Sequence, residues 1–278
     1  MIDKLINKLY HIIDQKENNK WYKYPFGKNP IGTSADYDSL SKDAFKKNYP
    51  MIDNFERECG YAIDQKWLNA LAFKTQIVIK DSELCFQHGR VLYSALSNYI
   101  NNQLDSMSEF RQLNILETGT ARGFSSLCMA KAIDDMDIIG KIYTFDVLPH
   151  NSEMYWNCIE DELGPKSRAN LLTPWKDLME KYIVFVQGDV KITLPKVQLF
   201  RINFAFLDGG HEYDNIIFEF LLIEPLQQKD DVIIFDDYNE KQFPGLVSAV
   251  DEMCNKFNYH MKIISATENR QYVVATKQ

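Results

Sequence analysis

The chain of 278 residues is 45% hydrophobic and 25% charged, the make-up of a globular protein rather than a fibrous or disordered one. Its net charge of −8 argues against a broad attraction to nucleic acid or anionic membrane, since phosphate binding needs clustered Lys and Arg, and suits a small or neutral substrate better. Cys59, Cys85, Cys128, Cys158 and Cys254 form no CxxC pair, which speaks against a disulfide framework or zinc ribbon and for a reducing, cytoplasmic setting.

At the N-terminus, Leu5, Ile6, Leu9, Ile12 and Ile13 fall on one helical stripe, but Asp3, Lys4, Lys8 and Asp14 interrupt any secretory core. Neither an export signal nor a membrane span is expected; the stripe suits packing on its own domain first, a second subunit next and a membrane surface last. Residues 15–60, punctuated by KNPIG and KKNYP, read as an irregular arm or cap. Its WYKYPFGKNP segment suits either a lid over a ligand or a contact in a homo-oligomer. Residues 82–104 read as a helix with Ser82 as its cap.

From residue 113 the texture changes. Apolar runs at 113–116, 142–146, 183–189, 202–208 and 232–237 alternate with helical patterns, as in a parallel sheet covered on both faces. YHMKIIS and QYVVATK, joined by the short TENR connection, add an antiparallel final pair. The expected architecture is therefore a doubly wound α/β fold. It has a seven-stranded, mostly parallel sheet over residues 111–278 and a helical or irregular cap over residues 1–110. The connection at 147–182 is longer than a loop and one helix require, and such an insertion belongs over an active site.

Ligands of open parallel sheets bind outside the carboxyl ends of the strands. There the first five strands carry Glu117, Asp146, Asp189, Asp208 and the pair Asp236 and Asp237. The turn ETGTARGFSS lacks the lysine of a phosphate loop and the third glycine of a dinucleotide fingerprint, so it favours neither. An acid opening the turn suits a ligand with an ammonium group and a sulfonium, which describes S-adenosylmethionine. Asp146 stands where an acid accepts hydrogen bonds from a ribose diol. Asp208, Asp236 and Asp237 would repel one another unless a cation lies among them, and Mg²⁺ is the economical choice. The bland alternative is helix capping. His211, three residues past Asp208, is a candidate general base.

In order and spacing over residues 113–240, ETGTARGFSS, FDV, QGD, FLDGGHEYD and IIFDDY resemble class I S-adenosylmethionine-dependent methyltransferases. Among these, they look most like the Mg²⁺-dependent O-methyltransferases of the mycinamicin and macrocin types, which act on macrolide sugars. The resemblance implies a cofactor set of Glu117, Thr118, Gly119, Thr120, Ser125, Asp146, Asp189, Val190 and Asp208. It further implies Mg²⁺ on Asp208, Asp236 and Asp237, with His211 as base and Asp208 as the fallback. Some macrocin-type members have an acid where Gly210 stands, which loosens the base assignment. The implied activity is O-methylation of a small molecule, a sugar or glycosylated metabolite. Alternatives are a metal-independent methyltransferase, a dinucleotide-dependent oxidoreductase and a non-catalytic partner subunit. Tyr155, Trp156, Trp175, Trp67, Phe86 and His88 are the expected substrate walls.

Overall fold

A computed structural model describes residues 27–106 and 112–278. The apolar stripe at residues 5–13 lies outside them.

Among the described residues four helices precede the sheet: α1 (Ser34–Ala44), α2 (Pro50–Cys59), α3 (Gln65–Thr75) and α4 (His88–Ser106). The segment expected to be irregular is thus helical in two of its stretches. Thr33 and Asp36 close a capping box on α1, with the Thr33 N–H and Oγ1 donating to Asp36 Oδ2 at 2.8 and 2.7 Å. Pro50, which looked like loop punctuation, is the first residue of α2, where its missing N–H costs nothing. Helix α4 begins at His88 rather than after Ser82. Residues Cys85 and Phe86 are instead buried in an extended segment, with the Cys85 thiol 3.7 Å from the Tyr272 hydroxyl. Packing has overridden local propensity there.

The remaining elements alternate as expected: β1 (Leu113–Thr118), α5 (Phe124–Asp135), β2 (Gly140–Asp146), α6 (Arg168–Leu171), α7 (Lys176–Tyr182), β3 (Ile183–Gln187), α8 (Val190–Thr193), β4 (Phe204–Leu207), α9 (Tyr213–Ile223), β5 (Val232–Phe235), α10 (Pro244–Lys256), β6 (Tyr259–Thr267) and β7 (Arg270–Lys277). They build one seven-stranded sheet in the order β3-β2-β1-β4-β5-β7-β6. All neighbouring pairs from β3 through β5 are parallel, and β7 runs antiparallel to both β5 and β6.

Alternation along the central strands separates two cores. Phe204 and Phe206 of β4, with Val232 and Ile234 of β5, join the cluster that includes Tyr37, Ile52, Leu68 and Leu96 of α1–α4. Ala205, Leu207, Ile233 and Phe235 face the other cluster, with Phe220 of α9 and Val250 of α10. Both faces are therefore covered, which explains why these strands are apolar throughout. The N-terminal helices share a core with the sheet. Among the described residues no helix is long and apolar enough to cross a membrane.

Candidate active site

The strand order reverses between β1, which leads to β2 on one side, and β4 on the other, and a doubly wound sheet opens its ligand crevice at such a point. A cleft of about 880 Å³ occupies that position, lined among others by Gly119, Asp146, Val190, Asp208, His211 and Phe243. The volume is ample for a nucleoside-sized ligand.

The floor of the crevice is set by close approach of two backbones. Gly119 has φ of 86°, in the left-handed region, and its N–H donates to the Phe145 carbonyl at 2.9 Å. A Cβ at Gly119 would lie 2.6 Å from the Asp208 carbonyl carbon, so only glycine lets the turn after β1 lie against the turn after β4. Ala121, with φ of 45°, is also left-handed. Glu117, the acid that opens the turn, is fully buried and does not line the cleft. Its carboxylate accepts from Ser125 Oγ, Ser126 Oγ and, at 2.5 Å, Thr144 Oγ1. Burial pushes its carboxyl up to about 7 in spite of these three hydroxyls. Thr118, Thr120 and Ser125 are buried with it, and Thr118 Oγ1 donates to Glu219, a cleft residue, at 2.7 Å.

Asp146 ends β2 and ties three segments together. Its Oδ2 accepts from the Ala121 N–H at 2.5 Å and its Oδ1 from the Leu148 N–H at 2.6 Å. Arg168 Nη2 lies 3.6 Å from the same carboxylate, while Arg168 Nε donates to the Ala121 carbonyl at 2.8 Å. The insertion thereby reaches back to both loops of the crevice. Asp189 lies beyond β3 and caps α8 through a hydrogen bond from the Lys191 N–H at 2.8 Å; it and Val190 line the cleft.

At the other end of the cleft, His211 stands between Asp208 and Asp237. Its Nε2 is 3.9 Å from Asp208 Oδ1 and 3.0 Å from Asp237 Oδ2, and its ring packs on Phe243 with centroids 4.5 Å apart. Burial lowers the histidine's affinity for a proton, but the two carboxylates outweigh it and hold the ring up at about 10. Burial pushes the Asp208 carboxyl up. It does the same to Asp237, where contact with His211 and the charge of Arg270 prevail and keep the carboxyl low. Asp237 also has a left-handed φ of 53°, a strained conformation of a kind found at functional sites.

The expected magnesium trio does not assemble in that form. The groups whose donor atoms come within 4.8 Å of one another are Asp208, His211 and Asp237. Asp236 is fully buried and turned onto the chain: its Oδ1 accepts the Asp237 N–H at 2.6 Å and its Oδ2 pairs with Arg270 Nη2 at 2.5 Å. Arg270 Nη1 pairs with Asp237 Oδ1. The cation that three neighbouring carboxylates require is thus already present as a guanidinium. These residues do not fit an oxygen-rich Mg²⁺ site built on Asp236.

The aromatic walls are a second correction. Trp156, Phe86 and His88 are buried in the main core, where His88 stacks on Phe206 at 6.1 Å; Trp175 packs edge-on against Trp67 at 6.4 Å. Tyr155 is half-buried and bridged to Gly27 by paired backbone hydrogen bonds of 3.3 Å. Arg168 and Arg270 were missed. Arg270 sat in the TENR connection, which looked like a turn and nothing more; an arginine across an antiparallel turn from two strand-end acids was the available signal.

Residues 116–238 match a family described as a methyltransferase domain. A search of curated proteins found no match. Among solved structures, the O-methyltransferase NovP is 18% identical, with a TM-score of 0.51 over 68% of this chain and 78% of that one. The cofactor-bound protein Rv0187 from MTB is 16% identical, with a TM-score of 0.53 over 84% and 98%. The O-methyltransferase TomG from Streptomyces achromogenes, solved with S-adenosylmethionine, is 15% identical, with a TM-score of 0.51 over 78% and 92%. At these identities the likeness is one of fold. Residues 116–238 thus match a methyltransferase domain by sequence, and the seven-stranded sheet with a crevice at its reversal point has the fold of these O-methyltransferases.

Proposed function

We propose that the protein transfers a methyl group from S-adenosylmethionine to a hydroxyl oxygen of a small molecule, a sugar or glycosylated metabolite. The observation that carries this reading is the pairing of a nucleoside-sized cleft with a buried acid at the end of β2 and a proton-handling cluster, Asp208 and His211, at its other end. The sugar class rests on the resemblance to macrolide-sugar enzymes, since the aromatic side chains expected to stack on a ring lie in the core.

Gly119, Ala121 and Asp146 hold the nucleoside and methionine portions, and Asp189 and Val190 border the base. Glu117 acts from below: its three hydroxyl donors lock the turn that Gly119 shapes. Bound S-adenosylmethionine supplies an electrophilic methyl group and leaves as the neutral thioether. An alcohol is a poor nucleophile, so its proton must have somewhere to go. Asp208 lines the cleft and takes that proton as the new C–O bond forms; His211, already holding its own proton between two carboxylates, orients Asp208 and stabilises its charge. This assigns base chemistry to Asp208 rather than to the histidine. The reading needs no metal, because Arg270 pairs with both Asp236 and Asp237. The 147–182 insertion forms the acceptor side, supported by the hold of Arg168 on the crevice loops. The five free thiols are in keeping with a reducing, cytoplasmic setting.

The test is methyl transfer itself. Methyl-labelled S-adenosylmethionine is incubated with the full chain and a panel of sugars, glycosylated metabolites and catechols, and products are mapped by NMR. Label on an oxygen is the expected result; label on nitrogen or carbon alone would overturn the reading.

A further inference from the structure

Three carboxylates collect at the ends of β4 and β5, and burying like charges together is unfavourable unless a cation is placed among them. The backbone places one. Beyond the β5–β7 pairing, the Tyr238 N–H donates to the Gln271 carbonyl at 3.1 Å, which extends the antiparallel ladder past the strand end and sets Arg270 beside the turn that carries Asp236 and Asp237. The guanidinium then spans both: Nη2 to Asp236 Oδ2 at 2.5 Å, and Nη1 to Asp237 Oδ1. Of the other oxygens on this side, Asp236 Oδ1 accepts the Asp237 N–H at 2.6 Å and Asp237 Oδ2 lies 3.0 Å from His211 Nε2. Each of the four carboxylate oxygens after β5 therefore faces a donor or a cation of the chain. Arg270 is itself steadied over the Tyr272 ring, 5.9 Å from its centroid. Its side chain is 22% exposed, so the charge is shielded from solvent screening.

We propose that Arg270 is a built-in counter-ion occupying the place of a divalent cation, so that this site holds its acids in a working arrangement with no metal and repels one that approaches. The proposal rests on the reading of this end of the cleft as the acceptor site, but its physical content is independent of turnover. A guanidinium differs from Mg²⁺ in two ways that can be measured: it cannot be removed by a chelator, and it brings no exchangeable water for a substrate oxygen to displace. Arg270 is a positioning residue in this account, since it acts through Asp236 and Asp237.

Mn²⁺ is the probe, followed by its electron paramagnetic resonance signal and by calorimetry on the full chain. Wild type, Arg270→Met and the double variant Asp236→Asn/Arg270→Met are compared, with circular dichroism and thermal unfolding as folding controls. The double variant removes the buried acid together with its partner and so remains informative where the single variant does not fold. The expected result is a single saturable Mn²⁺ site in a folded variant, at concentrations at which wild type shows no saturation even tenfold higher, a difference of about tenfold or more that is the scale of one removed charge repulsion. Stoichiometric Mn²⁺ binding by wild type would overturn the proposal. So would folded variants that still bind no Mn²⁺, because the guanidinium would then not be what keeps the ion out. Failure to bind S-adenosylhomocysteine would instead count against the methyl-transfer reading and leave the Mn²⁺ result standing.

Discussion

Gly119→Ala isolates the contact on which the crevice depends. The added methyl carbon would overlap the Asp208 carbonyl oxygen and lie 2.6 Å from its carbon, whereas ordinary contact begins at 3.4 Å, so the turns after β1 and β4 must part by about 1 Å or more. The left-handed φ of 86° adds a conformational cost of about 1–2 kcal/mol for a residue with a Cβ. Gly60 separates the two effects: its φ of 78° carries the same conformational cost, but nothing lies within 4 Å of where its Cβ would be. Gly60→Ala is therefore expected to lower the melting temperature by a few degrees, on the order of 2–4 °C per kcal/mol, and leave ligand binding alone. Gly119→Ala is expected to lose more stability and, because a displacement near 1 Å at a reacting centre costs on the order of 10²-fold, to cut turnover by about that factor. The assay is steady-state methyl transfer alongside calorimetry with S-adenosylhomocysteine. A Gly119→Ala protein with wild-type affinity and turnover would refute the close-approach argument, and so would Gly60→Ala and Gly119→Ala proteins that behave alike.

Asp146→Asn should weaken S-adenosylhomocysteine binding by about tenfold or more, since charge-assisted hydrogen bonds to Ala121 and Leu148 lose roughly half their strength; unchanged affinity would remove Asp146 from the site. Asp208→Asn should lower kcat by on the order of 10²–10⁴ with cofactor affinity within a few-fold, and unaltered turnover would move the proton acceptor elsewhere. A carboxyl raised on folding, as Glu117 is from 4.5 to about 7, binds protons more tightly in the folded state. Its stabilising contribution is complete below 4.5 and is lost as pH rises through about 7. Glu117→Gln should therefore flatten the fall in stability over that window, measured by urea unfolding across pH; an identical slope in both proteins would contradict a buried, raised Glu117. Methyl transfer by wild type should also proceed undiminished in EDTA, and abolition by the chelator with recovery in Mg²⁺ would show that a metal is needed after all.

Much of this molecule was legible in its sequence because the central strands are buried on both faces and so appear as unbroken apolar runs, each with an acid just beyond. The seven strands and the antiparallel end followed from that pattern, as did the placing of Asp146 and Asp208 along one cleft. Helices α1 and α2 did not, because charged residues such as Lys42, Asp43, Glu56 and Arg57 dilute their apolar stripes and Pro50 reads equally as an end or a beginning. Glu117 was expected at the ligand and is buried outside the cleft lining, since nothing in a one-dimensional pattern tells a strand-end acid that points up from one that accepts from Ser125, Ser126 and Thr144. The aromatic walls failed for a related reason: large aromatics serve cores more often than clefts. The three acids expected to gather a metal ion meet a cation of the chain itself, Arg270 of β7, more than thirty residues away.

The central claim is that the crevice between β1 and β4 receives the methyl donor, and calorimetric titration of the full chain with S-adenosylhomocysteine tests it most directly, with NAD as the comparator. Saturable binding of one S-adenosylhomocysteine per chain, lost in Asp146→Ala and absent with NAD, is the predicted result. Binding of NAD with no response to S-adenosylhomocysteine would contradict the account.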